Sequence, residues 1–143
     1  VSGGPCQELR ESSEDPALTE IEIGRACLGG TDSLAVSSSP LQSAFVLALP
    51  VSQRPDTSMA ICASAGLSAT DLEVLTPLGL RPIENSSRDH ILLELQALAP
   101  PLKLGDPVLF QTPRPSLLMN LFVSVELFDG EMKIESAATL RSL

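Results

Sequence analysis

The chain has 143 residues and a net charge of −9, and its pI is near 4.4, which together indicate one acidic domain. This charge repels phosphate backbones, so we expect no nucleic-acid partner, and no apolar run approaches the roughly 18 residues needed to span a bilayer, so we expect no membrane insertion. Hydrophobic residues make up 43% of the chain, enough for a folded core, but four Phe with no Trp or Tyr leave little aromatic surface for stacking.

The amino-terminal region is rich in Gly, Ser, Pro and acidic residues. We predict a flexible acidic arm over residues 1–17, followed by a single β-rich domain over residues 18–143. Residues 18–23 alternate with period two and predict a short strand with one solvent-facing side.

Apolar runs predict most of the remaining strands. They cover residues 44–49, which Pro50 is expected to end, and residues 58–64, 90–98 and 108–111. Pro113 and Pro115 should stop the last of these from continuing.

One short helix is predicted over residues 69–76. Ser68 and Asp71 have the spacing of a capping box, and leucines follow at three-residue intervals. The fold class is therefore mostly β, an antiparallel β-sandwich-like domain with one short helix, and α+β is the alternative.

The carboxy-terminal third carries the strongest hairpin signal. A strand over residues 117–128 turns at Asp129–Gly130 into a strand over residues 131–136. We expect residues 117–127, like 44–49, 58–64 and 90–98, to be buried scaffold; 90–98 and 117–127 could also pair with a partner strand.

Residues suited to catalysis or metal binding are scarce. His90 is the only histidine, opens a strand, and has no nucleophile elbow to serve, so a catalytic role is not expected. The three cysteines lack metal-ligand spacing. We therefore predict no catalytic residues, metal or cofactor, and no enzymatic activity.

Two features favour a secretory location. Asn85 lies in an N-glycosylation acceptor sequence, and the chain begins at Val1 without a leader, as a processed product would. With three cysteines, we favour a disulfide between Cys27 and Cys62, because both border apolar segments. Cys6 is then left to pair with another chain, as in a homodimer, or with a residue beyond this sequence. The alternative is three reduced cysteines in a cytosolic β-rich adaptor.

The order of several short motifs resembles a known family. Cys27-Leu-Gly-Gly30, then Ser37-Ser-Ser-Pro-Leu41, then Cys62, and finally Leu109-Phe-Gln-Thr-Pro113 follow one another as in the amino-terminal pro-region of anti-Müllerian hormones, within the transforming growth factor-β family. The resemblance covers about residues 20–140. It implies a secreted glycoprotein of gonadal differentiation that assists the folding, assembly and latency of a cystine-knot growth-factor domain, with a Cys27–Cys62 bridge.

A weaker likeness is to the orphan domain of the co-receptors endoglin and betaglycan. Leu95-Gln-Ala-Leu98, Phe110-Gln-Thr-Pro113 and Ile134-Glu-Ser-Ala-Ala138 have counterparts there. It implies an extracellular module that captures the same growth factors. The chain departs from the precursor pattern because it ends at Leu143 without a hormone domain, so we expect a fragment or a truncated product.

Overall fold

The computed structural model describes residues 2–3, 14, 16–21, 28, 43–64, 66–84 and 89–139. In chain order the elements are β1 (Ser2–Gly3), β2 (Glu20–Ile21), β3 (Leu47–Gln53), β4 (Met59–Ala63), a 3₁₀ turn (Ala69–Asp71), β5 (Glu73–Thr76), β6 (Leu80–Pro82), β7 (His90–Leu95), β8 (Pro107–Gln111), α1 (Pro115–Met119), β9 (Ser124–Asp129) and β10 (Met132–Ala138).

A six-stranded antiparallel sheet forms the body of the domain. Its strand order is β5-β8-β3-β4-β7-β6, and its two edge strands, β5 and β6, approach each other, so the sheet nearly closes on itself. β9 and β10 form a separate antiparallel hairpin, and β1 pairs with β2 in parallel. The predicted mostly-β, antiparallel class is confirmed.

The core lies on the concave side of this sheet because alternate side chains of each strand point there. In β3, Leu47, Leu49 and Val51 are buried while the residues between them are exposed. The largest fully buried side chains include Phe110 of β8 and Ile91 of β7. Burying an aliphatic or phenyl side chain contributes about 1.5–3 kcal/mol, so this cluster dominates the stability of the domain.

The prediction that Pro50 ends the first apolar strand is wrong, because β3 continues through it to Gln53. The Val51 amide donates to the Asp106 carbonyl at 2.9 Å, and the Val51 carbonyl accepts from the Gly105 amide at 2.9 Å. Successive residues of a strand point their backbone N–H and C=O groups to opposite sides, and those of Val51 point towards the β8 side. The backbone nitrogen of Pro50 therefore points towards β4, and β3–β4 pairing begins only at Val51. The missing amide proton of proline costs no ladder bond there.

The predicted helix over residues 69–76 is also wrong beyond its first turn. The Ser68 hydroxyl accepts from the Thr70 amide, as a helix cap does, but only Ala69–Asp71 are helical. The chain then extends as β5, where Val74 pairs with Phe110 of β8. Pairing with a strand that carries a fully buried Phe outweighs the local preference for helix, because the helix propensities of ordinary residue types differ by only a few tenths of a kcal/mol per residue.

The long predicted strand over residues 117–128 is split in the structure. Its first part is α1, which begins with Pro115 in the first helical position, where a proline lacks no needed donor. Leu118 of this helix is buried in the core, and the strand proper begins only at Ser124. The strand predicted over residues 90–98 ends at Leu95.

The amino-terminal arm is described only in part. Ser2–Gly3 pairs with Glu20–Ile21, so the strand predicted over residues 18–23 is seen as this short pair. Most of residues 1–17 lie outside the described residues, and the boundary after residue 17 stays a prediction.

Candidate binding surface on the β9–β10 hairpin

The hairpin closes through a tight turn. Asp129 pairs with Met132, which places Gly130 and Glu131 in the loop, one residue later than predicted. Gly130 has a φ of 59°, in the left-handed region that glycine adopts without a Cβ penalty. The predicted hairpin is thus confirmed, with its turn shifted by one position.

The base of the hairpin is fixed to the body of the domain. Phe122, just before β9, packs against the core, and its carbonyl accepts a hydrogen bond from the Thr139 hydroxyl. The Thr139 amide donates to the Val123 carbonyl at 3.0 Å. These contacts hold the two strand ends together, so the hairpin leaves the body from a fixed position.

Beyond this base, the hairpin exposes apolar side chains. Phe128 is 60% exposed, Met132 68% and Ile134 64%. Of the ten large apolar side chains exposed among the described residues, six lie between residues 121 and 134. Isolated exposed leucines are ordinary on a protein surface, so the concentration of exposed apolar side chains in this segment makes it the candidate binding surface.

Both faces of the hairpin contribute to this surface. Residues paired across strands lie on the same face, so Leu127 and Met132 share one face and Phe128 lies on the other. β9 and β10 have no strand partner except each other within the described chain. A two-stranded hairpin alone is marginally stable in water, so a partner that covers it gains apolar burial on both faces.

Charge on the hairpin is mainly negative. The Glu126 carboxylate forms an ion pair with Lys133 and accepts a hydrogen bond from the Ser136 hydroxyl at 2.9 Å. The hydrogen bond from Lys133 has the larger effect and that from Ser136 the smaller, and both lower the pKa of Glu126. Asp129, Glu131 and Glu135 form no ion pair with any other described residue. The hairpin therefore combines exposed apolar side chains with mainly negative charge.

This surface was only partly visible in the sequence. The prediction that residues 117–127 form buried scaffold is wrong for β9, whose side chains are exposed except for half-buried Val125. The prediction that 90–98 could pair with a partner strand is wrong for residues 93–95, because β7 lies between β4 and β6 and β6 pairs with these three residues. The Asp-Gly turn located the hairpin, but no local signal showed that its apolar residues stay uncovered.

Cys62 lies in the core and not at a surface. Its thiol is free and fully buried in β4, and burial raises its pKa to about 11. A thiol with this pKa is almost entirely protonated at neutral pH and is a weak nucleophile. Cys6 and Cys27 lie outside the described residues, so the Cys27–Cys62 pairing stays a prediction.

Two further residues were considered in the sequence, His90 and the glycosylation candidate Asn85. His90 is an exposed first residue of β7, paired with Ala63, and Asn85 lies outside the described residues. Within the described ranges, no group of three or more His, Cys, Asp or Glu side chains could hold a metal ion. None of the described helices is long and apolar enough to cross a membrane.

Comparison with known proteins gives a likeness of fold only. No protein-family model and no curated protein matches the sequence. Among solved structures, the chain is similar to the crystal structure of D-threonine aldolase from Filomicrobium marinum, with a TM-score of 0.80 and 15% identity over 96% of this chain. The chain spans 40% of the length of that protein. At this identity the likeness shows the fold and nothing about activity.

Proposed function

We propose that this chain is a noncatalytic, secreted protein-binding domain, similar to a growth-factor pro-region, that assists the folding, assembly and latency of a cystine-knot domain of the transforming growth factor-β family. The exposed apolar hairpin carries the proposal. Its base is packed against the core and hydrogen-bonded, and the described apolar side chains on both of its faces are exposed. Exposed apolar side chains concentrated in one segment are typical of a protein-binding surface.

The chemistry of the surface agrees with protein binding. Phe128, Met132 and Ile134 supply apolar area, and Phe and Met are side-chain types enriched at protein interfaces. The acidic side chains around them would form a charged rim that orients a basic partner. The D-threonine aldolase likeness gives no reason to assign an activity, because only the fold is shared at 15% identity.

A binding experiment tests this proposal. The chain would be expressed through a secretory pathway and titrated against the purified cystine-knot domain of an anti-Müllerian hormone by surface plasmon resonance. We expect a saturable complex that the double variant Phe128→Ser, Met132→Ser weakens at least tenfold, because each change removes exposed apolar area from the contact.

A matched control distinguishes this surface from general apolar adhesion. Leu78 and Leu98 are 76% and 88% exposed and lie in turns outside the hairpin. The double variant Leu78→Ser, Leu98→Ser should bind as the native chain does. No saturable complex, or an equal loss of affinity for both double variants, would sink the proposal.

A further inference from the structure

We infer that the free edge of β9 accepts an extended segment of a partner protein as a third strand, with apolar residues at alternate positions and a Lys or Arg at the end beside the hairpin turn. This rests on the proposed protein-binding function and specifies its mode. Strand addition supplies affinity through main-chain hydrogen bonds and specificity through alternate side chains.

The two edges of the hairpin differ in their capacity to pair. β9 runs for six residues, Ser124–Asp129, without a proline, a bulge or a cation, and within the described chain its outer edge is unpaired. β10 shifts register between Lys133 and Glu135, which interrupts the regular spacing of its outer amides. Bulges and lysines are the features by which proteins protect edges from pairing, so β9 is the open edge.

The side chains along β9 define the apolar pattern of the added strand. Val125 and Leu127 lie on one face of β9 at two-residue spacing, and Val123, which is 68% exposed, directly precedes the strand. Phe128 stands on the opposite face near the turn. Cross-strand apolar pairs contribute about 0.2–1 kcal/mol each, so a partner with β-branched residues at alternate positions matches this edge.

The acidic side chains of the hairpin favour a partner segment that carries a positive charge. Glu126 is already paired with Lys133, whereas Asp129 and Glu131 at the turn have no described cation. A Lys or Arg at that end of the added strand would complete the pairing. A second copy fits poorly, because the β9 strand of another copy brings an aspartate and no cation to Asp129 and Glu131, and each chain carries −9.

A designed peptide tests strand addition directly. The probe is a seven-residue peptide of valine and threonine in alternation, with a central tryptophan and a lysine at each end. Because the protein has no Trp or Tyr, the peptide tryptophan is the only indole or phenol fluorophore in the mixture. We expect saturable binding to the full chain, weakened at least tenfold when both lysines are replaced by glutamate.

Backbone methylation separates strand addition from side-chain contact. Only every second amide of an added strand faces β9. Methylating one alternate set of peptide nitrogens should therefore abolish binding, and methylating the other set should leave it within about threefold. Equal binding of both methylated peptides, or no binding of the unmethylated peptide, overturns the inference.

Protein variants locate the site. Glu131→Lys should weaken peptide binding at least tenfold, whereas Glu84→Lys, the same charge change at an exposed position after β6, should not change it. A circular dichroism spectrum equal to that of the native chain confirms that both variants fold. Equal effects of the two variants on peptide binding would refute the site. A dimer that forms through the hairpin would refute it as well; such a dimer would be detected by sedimentation and would be lost in the Phe128→Ser variant.

The outcomes also separate this inference from the proposed function. If the cystine-knot domain binds through Phe128 and Met132 but the peptide does not compete with it, strand addition fails and the proposed function stands. If the peptide binds at β9 but no cystine-knot domain does, the proposed function fails and the open β9 edge stands.

Discussion

Removing the hairpin should leave the body of the domain folded. The change replaces residues 124–138 with Asn-Gly between Val123 and Thr139. These two residues are already joined by a main-chain hydrogen bond of 3.0 Å, so a two-residue loop can close the gap without moving them.

The expected energetic cost follows from burial. None of the fourteen buried apolar residues of the core lies in the removed segment, and only Val125 and Ala137 within it are half-buried. Their loss costs about 1–2 kcal/mol, and the shorter connection offsets part of this through a smaller closure entropy. Phe110→Ala, which empties a fully buried position, should cost about 3–5 kcal/mol.

The measurement is urea unfolding followed by far-ultraviolet circular dichroism, since the chain has no tryptophan for fluorescence. The shortened chain should unfold in one transition, with a free energy of unfolding within about 2 kcal/mol of the native value, and it should lose all binding to the cystine-knot domain. A loss of stability as large as that of Phe110→Ala would refute the separation of body and hairpin.

Three further predictions concern single residues. Cys62 should resist alkylation by iodoacetamide at pH 8 in the native state and react fully in urea, because burial raises the pKa of its thiol to about 11. Protection that persists in urea and disappears when a reductant is added would establish a disulfide instead. The pKa of Glu126 lies below its ordinary value, so its pairing with Lys133 should be complete above the unfolded pKa and be lost as the pH falls through the folded pKa. A carboxyl titration by NMR that is unchanged in Lys133→Ala would contradict this. Gly79→Ala should lower the melting temperature more than Gly130→Ala. Both glycines have a positive φ, but of the two only Gly79 has backbone facing it: an added Cβ would lie 2.5 Å from the backbone nitrogen of Ala99. Equal decreases in melting temperature would refute this close approach.

Local patterns were sufficient for much of the fold. Apolar runs located β3, β4, β7 and β8, and the Asp-Gly pair located the hairpin, because these signals act over a few residues. The misassigned segments are those where a distant partner decides the conformation. β5 is extended because it pairs with β8, and α1 forms where Leu118 reaches the core, although both segments are apolar runs in the sequence.

The candidate binding surface was less accessible to prediction for the same reason. An exposed apolar strand and a buried one have similar sequences, and only the packing of the whole chain shows which is covered. Phe128 and Phe110 both lie in apolar segments, yet one is 60% exposed and the other is fully buried. Burial depends on strand order, and strand order is a property of non-local contacts.

The sequence by itself determined the acidic character of the domain, its mostly-β class and the position of its hairpin, because composition, alternation and turn chemistry are local properties. Tertiary structure decided that the six strands nearly close around Phe110 and Ile91, that Cys62 is a buried core thiol, and that β7 is internal while β9 has an open edge. The physical reason is that each strand must satisfy its hydrogen bonds and bury its apolar face against specific neighbours, and several of these neighbours, such as β8 for β3 and β7 for β4, lie tens of residues away along the chain.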